Sequence, residues 1–125
     1  MTRSVLVVED DPIMIAFIEE YLSGSFEYKL MTRADRALSL LKVGGNYSLV
    51  LLDLFMPGMN GFEFLEAVRS DRRLHKLPVV VLSGSTNPED RERALELGAN
   101  DYIEKPFIST EFEDRLARLF KEVDE

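Results

Sequence analysis

The chain contains no cysteine and only one histidine, His75. The first absence excludes disulfides and thiolate metal centres, and the second excludes a histidine-pair metal site, which leaves mainly oxygen ligands for any metal bound here. Long apolar runs are also missing, which leaves no candidate for a membrane span. Positive charge is scarce: 15 Lys and Arg stand against 23 Asp and Glu, for a net charge of −8. A phosphate-backbone binder needs a basic face, so direct nucleic-acid binding is not expected. Met1-Thr2-Arg3-Ser4 leads straight into an apolar stretch rather than a signal peptide. A cytoplasmic location is therefore expected. At 125 residues and 46% hydrophobic content, the chain suits one domain, residues 1–125, with a full core.

What is present is organised around Leu49-Val50-Leu51-Leu52-Asp53-Leu54-Phe55-Met56-Pro57-Gly58-Met59-Asn60-Gly61. Four large apolar residues suit a strand buried on both faces, and they run into a carboxylate and then a turn. In open α/β sheets, ligands bind at that carboxyl edge. An aspartate there either caps the loop or does chemistry.

Around this stretch the pattern alternates strand and helix. Ser4 to Val8 is a first buried strand, ending at Glu9-Asp10-Asp11-Pro12. Asp11 and Pro12 read as N-cap and first residue of a helix. That helix carries Met14, Phe17, Ile18, Tyr21 and Leu22 on one face, and Ser23-Gly24 stops it. Tyr28 to Thr32 predicts a less apolar edge strand. Ala34, Ala37, Leu38 and Leu41 mark a second helix, ended by Gly44-Gly45, and Phe62 to Arg69 a third. Val79 to Leu82 is another buried strand, entering the hydroxyl-rich loop Ser83-Gly84-Ser85-Thr86. The helix from Pro88 to Leu97 is mostly charged, with Ala94, Leu95 and Leu97 as its only anchors, and should pack least firmly. Asp101 to Glu104 is a short fifth strand, followed by Lys105-Pro106-Phe107. The last helix, about Thr110 to Val123, shows Phe112, Leu116, Leu119, Phe120 and Val123 on one face.

Five strands alternating with five helices imply a doubly wound parallel sheet. If strands one, three, four and five are neighbours, their carboxyl ends gather Glu9, Asp10, Asp53, Ser83 and Lys105 in one crevice. Two carboxylates about 4 Å apart repel by roughly 4 kcal/mol at an effective dielectric of 20, so clustered acids call for a cation or a raised pKa. The donor set points to a hard ion, Mg2+ first. Such a site suits a phosphoryl group, with Lys105 and Ser83 on its oxygens and Asp53 as nucleophile.

These residues resemble the receiver domain of two-component response regulators. Val7-Val8-Glu9-Asp10-Asp11-Pro12 is similar to that family's acidic-pair motif, and Leu51 to Gly61 to its phosphoacceptor segment. Val81-Leu82-Ser83-Gly84 resembles its switch hydroxyl segment, and Tyr102-Ile103-Glu104-Lys105-Pro106-Phe107 its lysine segment. The resemblance runs from about residue 4 to 120. It implies a flavodoxin-like (βα)5 fold with strand order 2-1-3-4-5, and phosphorylation of Asp53 by a histidine kinase or histidine phosphotransfer protein. It further implies Mg2+ held by Glu9, Asp10, Asp53 and the backbone carbonyl of Phe55, a phosphoryl-pairing Lys105 preceding a cis Pro106, and a switch made of Ser83 and an inward-turning Tyr102. The face of the fourth helix, fifth strand and fifth helix would then control a downstream protein or a covalently linked output domain. Glu9 stands where aspartate is frequent and Ser83 where threonine is. Phe55 and Ser85 occupy positions that tune the lifetime of the aspartyl phosphate. Arg91, Glu96, Asp101 and Glu111 resemble the charged set through which some receivers dimerise on that same face, but Ala117 and Glu122 stand where basic partners belong.

Other readings make other demands. A haloacid-dehalogenase-type phosphatase needs a second acid two residues after its nucleophile, where this chain has Phe55. A flavodoxin-like carrier needs a glycine- and hydroxyl-rich phosphate loop where this chain has Glu9-Asp10-Asp11. A pseudo-receiver acting only as a docking module has no need of a complete acidic pocket. His75, in a charged loop, has no assigned role.

Overall fold

The alternation of short apolar runs with amphipathic segments produces five strands and five helices, described for residues 3–124 in a computed structural model. In chain order they are β1 (Arg3–Val8), α1 (Pro12–Leu22), β2 (Phe26–Met31), α2 (Ala34–Lys42), β3 (Leu49–Asp53), α3 (Gly61–Ser70), β4 (Val79–Ser83), α4 (Pro88–Glu96), β5 (Asp101–Glu104) and α5 (Ser109–Asp124). All pairings are parallel, and the sheet order is β2-β1-β3-β4-β5. This is the flavodoxin-like (βα)5 arrangement.

Because successive side chains on a strand point to opposite faces, the apolar runs feed two cores. Leu6, Val8, Val50, Leu52, Val79, Val81 and Tyr102 pack beneath α2, α3 and α4. Val5, Val7, Leu49, Leu51, Val80, Leu82 and Ile103 pack against α1 and α5. A strand buried on both sides can be apolar throughout, and every residue of β3 and β4 is buried. Asp53 and Ser83 end those two strands, and they are two of the few buried polar side chains.

Local signals act as their chemistry requires. Asp11 accepts from the Ile13 amide at 3.1 Å with Pro12 in the first helical turn, and Asn60 forms a reciprocal capping box with Glu63 that starts α3. Gly98, at φ +105°, ends the turn after α4.

Three expectations are corrected. The edge strand spans Phe26–Met31 rather than Tyr28 to Thr32, because Phe26 is drawn in by stacking on Tyr21 and Phe120. The fourth helix ends at Glu96, and its Leu95 is exposed, leaving Ala94 buried and Leu97 half-buried as its anchors. The third helix begins at Gly61, where the Asn60 cap sets its start. Phe112, Leu116, Leu119 and Phe120 are buried along α5 as expected; the Val123 side chain lies outside the described residues.

Candidate functional site

Strand register decides which chain segments meet. Val8 lies beside Leu52, Asp53 beside Leu82, and Ser83 beside Glu104, so the residues that follow or end these strands emerge along one edge. Glu9 is held there by the hydrogen bond its backbone N–H donates to the Met31 carbonyl, and Lys105 by the one its N–H donates to the Ser83 carbonyl at 2.7 Å. Strand order reverses between β1 and β3, which makes this edge the topological switch point.

Carboxylate oxygens of Glu9, Asp10 and Asp53 all come within 4.8 Å of one another. Glu9 and Asp53 are buried, whereas Asp10 is exposed. Lys105 reaches in from the end of β5: its Nζ lies 2.6 Å from Glu9 Oε1 and 3.7 Å from Asp53 Oδ1. The second Glu9 oxygen accepts from the Asp10 and Asp11 amides at 3.1 and 3.2 Å. Glu9 thus has partners on both oxygens. Asp53 is less well provided for, with a long 3.4 Å bond from the Phe55 amide to Oδ1. Burial and the neighbouring Glu9 charge push the Asp53 carboxyl up to about 7, and Lys105 offsets only part of this. A divalent cation would remove the penalty of ionising it.

Ser83 is fully buried, and its Oγ accepts from the Ser85 amide at 3.1 Å. Its register position puts it next to Asp53's strand neighbour Leu82, at the rim of the crevice. Tyr102 is already inward, 1% exposed, with its hydroxyl donating to the Ser85 carbonyl at 3.2 Å. The Lys105-Pro106 bond is cis. Phe55 points its ring to solvent, edge-on to Phe62 at 6.1 Å. Of the residues singled out from sequence, Glu9, Asp10, Asp53 and Lys105 converge directly, Phe55 and Ser83 flank them, and Tyr102 stands behind the β4–α4 loop. His75 hydrogen-bonds the Arg72 carbonyl, remote from this group in the fold. Asp101 and Glu111 are engaged within the chain, both facing Arg115 at 3.3 and 3.8 Å.

Sequence reasoning missed Asp90 beside the site and Arg69 at the opposite edge of the sheet. Asp90 accepts from the Ser85 hydroxyl at 2.6 Å, and Arg69 ties the loops below α4. Asp90 looked like one more charge in a charged helix; its only early signal was the serine five residues before it.

Fold and crevice together define a class: a doubly wound α/β domain carrying an acidic cluster and a lysine at its switch point. Three comparisons carry this further. The family model described as "Response regulator receiver domain" matches residues 5–117. The chain is 36% identical over 121 residues to the transcriptional regulatory protein GltR of Pseudomonas aeruginosa, covering 95% of this chain and 49% of that protein. It is 37% identical over 105 residues to a probable cyclic di-GMP phosphodiesterase of Vibrio cholerae, covering 82% of this chain and 23% of that protein. The chain therefore spans half or less of the length of these two relatives. Among solved structures, it superposes with a TM-score of 0.84 on the receiver domain of a Pseudomonas aeruginosa sensor histidine kinase, 27% identical, covering 94% of this chain and 97% of that one. That structure has a magnesium ion coordinated in its active-site cleft.

The chain belongs to the response-regulator receiver domain family, the receiving component of two-component signalling.

Proposed function

We propose that residues 1–125 form a receiver that accepts a phosphoryl group on Asp53, from a histidine kinase or a histidine phosphotransfer protein. The observation that carries this reading is the convergence of an ammonium on buried carboxylates: Lys105 Nζ sits 2.6 Å from Glu9 Oε1 and 3.7 Å from Asp53 Oδ1. An Asp53 oxygen attacks phosphorus, the O–P bond forming as the donor's N–P bond breaks and the imidazole departs with that electron pair. Lys105 pairs with one phosphoryl oxygen, Ser83 turns its hydroxyl to another, and the buried setting strengthens both contacts.

The residues present fit Mg2+: the donors are all oxygen, and three carboxylates offer atoms within 4.8 Å of one another. Glu9, Asp10, Asp53 and the Phe55 carbonyl would hold it. When bound, the ion supplies positive charge that keeps Asp53 ionised and offsets the charge of the phosphoryl oxygens.

Neither the phosphatase nor the flavin-carrier alternative gains support. The side chain two residues after Asp53 is the exposed ring of Phe55, and the first βα turn is acidic where a flavin phosphate would need donors. Downstream, Ser83 and Tyr102 would report phosphorylation to the α4-β5-α5 face, and through it to a partner protein or a linked output domain. Relatives as different as a transcriptional regulator and a probable phosphodiesterase share this domain, so its output is set by what the face contacts. Dimerisation through that face would have to draw Asp101 and Glu111 away from Arg115. Among the described residues no helix is long and apolar enough to cross a membrane.

The test is incorporation of labelled phosphate from acetyl phosphate with Mg2+. The wild-type chain should be labelled and Asp53→Asn should not. Equal labelling of the Asn variant would place the acceptor elsewhere.

A further inference from the structure

The loop between β4 and α4 is held through one residue. Every polar atom of Ser85 is used. Its amide donates to Ser83 Oγ at 3.1 Å, and its carbonyl accepts from the Tyr102 hydroxyl at 3.2 Å. Its own hydroxyl donates to Asp90 Oδ2 at 2.6 Å and accepts from the Asn87 amide at 3.1 Å. Asn87 in turn caps α4 by accepting from the Glu89 amide at 3.0 Å. Ser85 therefore joins the proposed switch hydroxyl and the buried tyrosine, on one side, to the first turn of α4 on the other.

Helix α4 has little else to hold that end. Ala94 is its one buried residue, with Leu97 half-buried just past its end, so its apolar attachment lies in its second half. Its arginines add contacts to rings, Arg93 over Phe62 at 4.1 Å and Arg91 over Tyr102 at 5.9 Å. A short O–H···O bond to a carboxylate is the strongest directional tie among these.

We infer that Asp90 is a positioning residue that makes α4 follow Ser83, acting through the Ser85 hydroxyl. This rests on the reading of Asp53 as phosphoacceptor. Turning the Ser83 hydroxyl toward a phosphoryl group either breaks its bond from the Ser85 amide or carries Ser85 along. The carboxylate bond on the hydroxyl keeps Ser85 and the first turn of α4 as one unit, and the tyrosine bond on the carbonyl couples that unit to β5. With the Asp90 bond present, the displacement reaches the helix; without it, only the weaker bond from the Asn87 amide remains and most of the displacement stays in the loop.

An aspartate in the first helical turn also has a bland role, favourable interaction with the free N–H groups there. Two substitutions separate the roles. Asp90→Asn removes the charge but keeps an oxygen to accept from Ser85, whereas Asp90→Ala removes both. Ser85→Ala breaks the link from the other end, and Ser85→Thr restores the hydroxyl.

The experiment is amide NMR of the full chain titrated with beryllofluoride and Mg2+ as the phosphoryl mimic. In the wild type, Ser83, Gly84 and the α4 amides should all shift. Asp90→Asn and Ser85→Thr should behave alike. Asp90→Ala and Ser85→Ala should keep the Ser83 and Gly84 shifts and lose most of the α4 shifts, and the double variant should be no worse than either single one. Wild-type α4 shifts in Asp90→Ala would overturn the coupling while leaving Asp53's role intact, and so would an Asp90→Asn variant as defective as Asp90→Ala. A wild-type chain with no shifts at Ser83 or around Asp53 would overturn both the phosphoacceptor reading and the coupling built on it.

Discussion

At the scale of single residues, the chain carries a carboxylate where ionisation is costly. Asp53 is 7% exposed, and its carboxyl is pushed up to about 7, first by burial and then by Glu9. The unfolded chain releases this proton near 3.8, the ordinary value for an aspartate. Between those two values the folded chain holds a proton that the unfolded chain has lost, so the Asp53 contribution to stability falls as pH rises through that window and is flat above it. In metal-free buffer, Asp53→Asn should therefore be more stable than wild type at pH 8 by more than about 1 kcal/mol, with no such gain at pH 3.5. Denaturant melts at the two pH values check this, and a gain independent of pH would contradict the buried-charge account. Asp53 itself was legible in sequence, as an acid ending an apolar run. The state of its neighbour was not, because the Lys105 to Glu9 ion pair joins residues 96 apart in the chain and exists only once the strand order is set.

At the scale of elements, α3 is held by a close fit at each end, one beside the site and one at the opposite edge of the sheet. Arg69, at the end of α3, donates to the Gly98 carbonyl through Nε and one terminal nitrogen, to the Leu77 carbonyl at 2.7 Å and to Asn100 Oδ1 at 3.1 Å. It knits the turn after α4 to the segment entering β4. Arg69→Ala should cost about 1–2 kcal/mol, since several half-buried or exposed acceptors lose a charged donor. Arg69→Lys should recover only part, because one ammonium cannot span the fork. Chemical denaturation measures both. Gly61 begins α3 against the end of β3: a Cβ there would lie 2.7 Å from Leu54 Cα and 3.0 Å from the Asp53 carbonyl oxygen. Gly61→Ala should cost about 1–3 kcal/mol and shift the Asp53 backbone amide resonance, as neither contact is with a side chain that can swing aside. The helices themselves were readable from their apolar spacing and caps. The edge strand was misplaced because its boundary is decided by stacking of Phe26 between Tyr21 and Phe120, a tertiary effect with no local signature. Arg69 was unreadable for a similar reason: its partners lie up to 31 residues away, and most are backbone carbonyls that any residue type could supply.

At the scale of the whole molecule, the fold does one thing for the site. It brings the carboxyl ends of β1, β3, β4 and β5 to one edge, so that acids from two strand ends and a lysine from a third meet. Alternation of apolar runs identified the strands and their parallel class; the order came from family resemblance, since nothing local distinguishes one buried strand from its neighbour. Mg2+ that binds only the folded chain should raise the melting temperature with the logarithm of its concentration once that exceeds the dissociation constant, and Asp10→Ala should reduce that increase. A thermal shift that ignores Mg2+ would count against a cation site at this edge. The central claim is that the Asp53 oxygen at this edge is the phosphoryl acceptor, and locating the acyl phosphate tests it most directly. The chain is treated with acetyl phosphate and Mg2+, reduced with borohydride and mapped by peptide mass spectrometry. Reductive conversion of an acyl phosphate turns aspartate into homoserine. We predict homoserine at position 53 and nowhere else, dependent on Mg2+; conversion at another acid, or an unchanged Asp53 in a phosphorylated chain, would contradict the account.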